Sequence, residues 1–139
     1  MVSIAVARPR IGLSRPLLLR IDAVSNASLA ALFLAASWDD LFEFFGLPLP
    51  RPAYYAQLLG AALVAFSALE WALAHAPTAR AVMAAAAVGN AVAAAILVVW
   101  LASGESGADD HGLVVLWSAA AFLAAAAIAH AVAFSRDAP

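Results

Sequence analysis

Four apolar stretches dominate this chain of 139 residues, over 17–37, 53–74, 79–101 and 112–134. Each is close to the about 20 residues that an α-helix needs to cross the hydrocarbon core of a bilayer. In hydrocarbon every backbone N–H and C=O must be satisfied within the segment, so uninterrupted apolar runs of this length read as helices. A soluble four-helix protein would need far more polar surface than this chain has, because only 12% of its residues are charged and 66% are hydrophobic. Its mean hydropathy of +0.95 agrees. The expected fold is all-α, a four-transmembrane-helix bundle running up-down-up-down with both termini on the same side. It divides into an Arg-rich N-terminal segment (1–16), the helical membrane domain (17–134) and a short tail (135–139).

The separators support that order. Three prolines in GLPLPRP (46–52) cannot continue a helix and favour an extended linker. HAPTAR (75–80) is a very short turn in which Thr78 is placed to cap the next helix. SGESGADDHG (103–112) is a polar, Gly-rich loop. Connections this short predict antiparallel neighbours. The third and fourth segments are rich in Ala, which forms helix well and lets backbones approach closely; Gly60 and Gly89 are expected to do the same.

Charge placement orients the bundle. All seven basic residues are Arg, and Arg8, Arg10, Arg15, Arg20, Arg80 and Arg136 fall on one side of the predicted spans, with Arg51 alone on the other. By the positive-inside rule both termini are expected in the cytoplasm. Trp38, Trp100 and Trp117 then mark the outer interface and Trp71 the inner one, as an aromatic belt. A rival parse treats the Arg-rich start and the LAAS before Trp38 as a secretory signal that is cleaved; the long basic region and the interruptions at Asp22, Asn26 and Ser28 weigh against it.

Polar side chains inside the spans are the candidate site. Ionisable groups in a bilayer face the bundle interior or the interface. Arg20, Asp22, Asn26, Glu70, Asn90 and His130 lie on all four segments, and most fall within a turn or two of the inner side. Asp22 and Asn26, four apart, share a helix face. Arg20 points elsewhere, toward lipid phosphates or toward Glu70. The set reads as a network that fixes helix register, or else as a cytoplasm-facing pocket for a proton, cation or small polar ligand. A second group, Asp39, Asp40 and Glu43 in WDDLFEFFG (38–46), puts acids on one face of a short amphipathic piece at the outer interface; a cation-binding lip is the alternative there.

Several chemistries are unsupported. The chain has no Cys, which excludes disulfide exchange, thiolate catalysis and Cys-ligated metal centres. His75 and His130 lack a paired metal or haem spacing, and no nucleophile-elbow motif occurs. No cofactor is expected. No basic cluster with interleaved aromatics points to nucleic acid.

LRIDAVSN (19–26), FGLP (45–48), ALEWALA (68–74) and VGNAVAA (88–94) together resemble a group of small four-helix bacterial integral membrane proteins of unknown function. The resemblance implies a four-helix membrane fold over nearly the whole chain and supplies no catalytic residues. Small multidrug-resistance exporters carry an essential mid-helix Glu in helix one, where this chain has Asp22 near the inner end. Four-helix thiol oxidoreductases need Cys, and DoxX-like proteins share only the span count. The leading expectation is a non-enzymatic accessory or packing subunit, or a protein that interacts with a small ligand or lipid. The expected partners are the bilayer and either another membrane protein or a second copy. A small proton-coupled transporter using Asp22 or Glu70 is the alternative. A membrane enzyme acting on a lipid, with His130 and a carboxylate as acid and base, comes third.

Overall fold

A computed structural model describes residues 14–35 and 38–136. The expectations for Arg8, Arg10, Ser37 and the end of the tail lie outside the described residues. All regular structure among the described residues is helical: α1 (Arg15–Leu34), α2 (Asp39–Phe44), α3 (Ala53–Leu73), α4 (Ala79–Ala102) and α5 (Asp110–Arg136). The four long helices, α1, α3, α4 and α5, are each long and apolar enough to cross a membrane.

Their ends follow from local chemistry. α1 starts at Arg15, two residues before the apolar run, because Pro16 sits in the first turn, where its missing N–H costs nothing and its fixed φ suits the helix. Asp22 is therefore about two turns into the helix. Thr78 occupies the cap position of α4 but adopts a helical backbone conformation and makes no side-chain cap bond. The α3–α4 turn is closed instead by backbone bonds, Ala76 N–H to Leu73 O and Ala79 N–H to Ala76 O. At α5 the cap is a side chain: Asp109 Oδ1 accepts from Gly112 N–H at 2.8 Å.

The long helices pack as two pairs, α1 with α3 and α4 with α5, and the pairs meet each other more sparsely. Contacts between α1 and α3 run in opposite directions along the two chains. Arg20 meets Trp71 and His75, Ala23 meets Ser67, and Ala30 and Leu34 meet Gly60. At Gly60 the helices touch backbone to backbone: a Cβ there would lie 3.0 Å from both Ala30 O and Leu34 N. Gly89 does not repeat this. It is exposed and a Cβ would meet nothing within 4 Å, so the expected close contact at Gly89 is absent. α4 offers Ala86 and Ala94 as buried small residues, and Gly89 is rotated about 100° from the middle of that face.

Two apolar clusters close the ends. Leu18, Leu19, Ala74, Ala79, Val82 and Met83 gather at the start of α1, the α3–α4 turn and the end of α5. Arg20, His75, Arg80 and Arg136 belong to this basic end, with Arg80 stacked over Phe134 at 4.6 Å. At the opposite, acidic end, Phe42 and Ala56 pack with Leu32, Phe33, Leu47, Leu49 and Ala53, which anchors α2. Here the Gly46 carbonyl accepts from Asp109 N–H at 3.2 Å, and Gly46 and Gly112 approach so closely that a Cβ on either would collide with the other's backbone. Gly46 also has φ +64, which suits glycine. A third or less of each span's apolar stretch is buried within the protein. The remaining apolar surface carries Leu58, Val88, Ile96, Val99, Val114 and Ile128, all well exposed, as lipid-facing helices require.

Candidate functional site: a buried polar joint

Five polar side chains from the four long helices converge. Glu70 is 0% exposed, His130 1%, Asp22 3%, Asn26 6% and Asn90 7%. The 3.6-residue repeat puts Asp22 and Asn26 on one side of α1, facing the other helices, while Ile21 and Val24 point outward. Asn26 Nδ2 donates to Glu70 Oε2 at 3.0 Å, joining α1 to α3. Asn90 Nδ2 donates to both oxygens of Asp22, at 3.2 and 3.0 Å, joining α4 to α1. His130 brings α5 in, with Nε2 3.8 Å from Asp22 Oδ2. Glu70 and Asp22 are both buried at this point of the α1–α3 contact. Asp22 thus meets α4 and α5, and Asn26, one turn on, ties in α3.

The hydrogen-bond chemistry of the joint is specific. A carbonyl only accepts, so His130 Nδ1 carries a proton to donate to Ala126 O at 2.8 Å. That leaves Nε2 as the ring nitrogen facing Asp22. Asn26 and Asn90 spend their amide N–H groups on carboxylates, the strongest neutral-to-ion pairing available to them. Charge is less balanced than hydrogen bonding. Two carboxyl groups share the joint and only Asp22 lies against the imidazole, so a charge on His130 would be matched by Asp22. Glu70 Oε1 and His130 Nε2 have no hydrogen-bond partner among the described residues. Both atoms are buried at the joint, so its polar capacity exceeds what its members use on one another.

Arg20 is placed elsewhere. It neither pairs with Glu70 nor joins the cluster. It is exposed, donates from Nη2 to His75 Nε2 at 3.1 Å and lies 5.3 Å over the ring of Trp71. Arg20 is two residues from Asp22, which on a helix turns it about 200° away from that side chain. An Arg N–H cannot accept, so His75 Nε2 must, and the ring proton is on Nδ1. Trp71 lies in the last turn of α3 and His75 in the turn just beyond it, and both meet the one Arg20 side chain.

The acidic segment is a surface feature. Asp39, Asp40 and Glu43 are exposed on α2, and Asp39 meets Arg51 at 3.7 Å with both side chains open to solvent. Pairs of that kind contribute little. Among the described residues no group of three or more His, Asp or Glu side chains is placed to hold a metal ion. Serines inside the spans are satisfied locally: Ser25 and Ser28 donate to Ile21 O and Val24 O of their own helix, and only Ser67 reaches across, to Ala23 O at 2.7 Å. That cross-helix bond carries no signal in the sequence, because Ser67 stands in the same apolar setting as the others.

Comparison with protein-family models, curated proteins and solved structures returns no match to this chain.

Proposed function

We propose that this chain is a non-enzymatic protein of a bacterial cytoplasmic membrane, with both termini in the cytoplasm, that works as an accessory subunit by contact with neighbouring membrane components. One observation supports it above the others: Asp22, Asn26, Glu70, Asn90 and His130 are turned inward and spent largely on tying four helices together, while the outer surface is mostly apolar contact surface. The resemblance to small four-helix bacterial membrane proteins fits the same reading. Arg20, Arg80 and Arg136 at one end, against Asp39, Asp40, Glu43, Glu105, Asp109 and Asp110 at the other, support the orientation.

The test is extraction from the native membrane in a mild detergent, with the mass of the particle read by light scattering. A stable complex with another membrane protein, or with a second copy, is the expected result. A lone monodisperse monomer overturns the subunit reading.

A second reading is proton-coupled transport through the joint. It is favoured by two acids sharing one buried joint and by the unpartnered Glu70 Oε1 and His130 Nε2. Purified protein in liposomes holding a pH-sensitive dye separates the two. The accessory reading predicts proton leakage no faster than in protein-free liposomes. A flux that Asp22→Asn and Glu70→Gln both abolish, in protein of unchanged helix content, establishes transport instead.

A further inference from the structure

We propose that the α1–α3 seam holds one anionic phospholipid, with its phosphate on Arg20 and an acyl chain in the groove beyond it. The inference rests on the spanning arrangement proposed above, with the basic end at the cytoplasmic headgroup layer, and does not need a protein partner.

The groove and the cation are separate observations that meet at Trp71. On the outer face of the pair, α1 and α3 leave a groove floored by Ala23, Ala27, Ser67 and Ala68. Small side chains create it: the neighbouring walls, Val24 and Val64, stand about half exposed above that floor. Ser67 does not make the floor polar, because its hydroxyl is consumed by Ala23 O. Trp71 closes the groove toward the basic end, and the Arg20 guanidinium lies over that same ring. From Arg20 to Ala27 the groove follows α1 for about 10 Å at 1.5 Å per residue, a length suited to the upper half of an acyl chain.

The charge at the mouth fits an anion. Arg20 has no carboxylate partner among the described residues, and its neighbour His75 accepts a hydrogen bond without contributing negative charge. One of its five N–H donors goes to His75, which together with the Trp71 face fixes the plane of the fork. A guanidinium held in this way is preorganised for phosphate oxygens. Apolar slot below and oriented cation above match the two halves of a phospholipid, whereas a soluble anion would use the cation alone.

The test uses fluorescence from Trp71. Trp38→Phe, Trp100→Phe and Trp117→Phe leave it as the sole Trp, and the protein is reconstituted in phosphatidylcholine vesicles containing lipids brominated on the acyl chain. Brominated phosphatidylglycerol should half-quench Trp71 at a mole fraction roughly fivefold lower than brominated phosphatidylcholine does, the ratio expected from one basic residue near a membrane surface. Arg20→Gln should remove that preference, and Arg20→Lys should keep part of it. Arg136→Gln, at the same end but away from the groove, should leave it within about twofold. Ala27→Leu with Ala68→Leu should reduce quenching by both lipids, since the groove is then filled. Equal quenching by the two lipids, or an unchanged preference in Arg20→Gln, overturns the proposal. So does displacement of the lipid by inorganic phosphate, which would mark a free-anion site. The chain has no Cys, so single Ser14→Cys and Ser103→Cys variants report insertion and orientation by labelling with an impermeant maleimide. Failure there removes the spanning arrangement itself; correct labelling without lipid preference removes the lipid site alone.

Discussion

Replacing Asn90 by Leu tests whether the joint holds the two helix pairs together. Leu has the same number of side-chain heavy atoms and the same branching as Asn but is bulkier, so no cavity opens, and the substitution deletes both contacts to Asp22, at 3.2 and 3.0 Å. In water-soluble proteins hydrogen bonds to a charged group contribute about 1.5–3 kcal/mol. Interhelical bonds in membranes average about 0.6 kcal/mol and reach about 1.7, because the separated helices find other partners. Asp22 lies about 10 Å along α1 from Arg15, so once the pairs part it can reach the headgroup layer, and the membrane values govern. The cost expected for Asn90→Leu is thus about 2 kcal/mol: the lost bonds plus part of the penalty for a buried carboxylate stripped of its best donor. In a cycle with Asp22→Leu, the double variant should lose less than the two singles together, by about 1–2 kcal/mol. Reversible unfolding of the four proteins in mixed micelles of increasing sodium dodecyl sulfate fraction measures all four corners. A coupling below about 0.3 kcal/mol, the scatter of independent sites, would mean that Asn90 and Asp22 do not support each other and that the pairs are held by apolar packing alone.

Two contrasts between glycines follow from the packing. Gly60→Ala should destabilise by about 1–2 kcal/mol in the same assay, since crowding against Ala30 O and Leu34 N outweighs the gain in helix propensity, whereas Gly89→Ala should be neutral or stabilise by up to about 1 kcal/mol; equal effects would show that the two sites do not differ in packing. Gly112→Ala should force the α4–α5 loop away from Gly46, so amide hydrogen exchange should quicken at Asp109 and along α2 while the Asn26–Glu70 region keeps its protection; uniform acceleration would count against a local lock.

The helices were legible because lipid imposes them: an apolar run of spanning length has few other outcomes. The polar set stood out for a related reason, since an Asp, Glu or His among alanines is conspicuous. Rotation about each helix axis was much less legible. In a soluble helix the solvent face is polar and the 3.6-residue pattern reveals which side is buried. Here both the lipid face and the packed face are apolar, so Gly60 and Gly89 look alike in sequence and sit in opposite surroundings. For Asp22 and Asn26, the i, i+4 spacing indicated a shared face, and the structure adds that this face meets three helices. Arg20 could have turned to lipid phosphate or to Glu70. Its link to His75 and Trp71 depends on where α3 ends relative to α1, which no local pattern encodes. The Gly46–Gly112 contact depends likewise on how a loop meets the first turn of α5, more than sixty residues away.

The α1–α3 pair carries both features of interest on opposite sides of one seam. Asp22 turns toward Asn90 on α4 and His130 on α5 and Asn26 toward Glu70 on α3, while Ala23 and Ala27, each the next residue along, line the outer groove. On α3, Glu70 faces the joint and Trp71 the groove in the same way. Adjacent residues on a helix point about 100° apart, so a change in the separation or rotation of α1 against α3 moves both sides together. Ser67, whose bond to Ala23 O spans the seam, and Gly60, whose missing side chain permits the contact, are the two residues that set that separation. Occupancy of the groove and the fit of Asn26 on Glu70 are therefore geometrically linked through the seam, which places the lipid-facing surface and the buried carboxylates under one structural constraint.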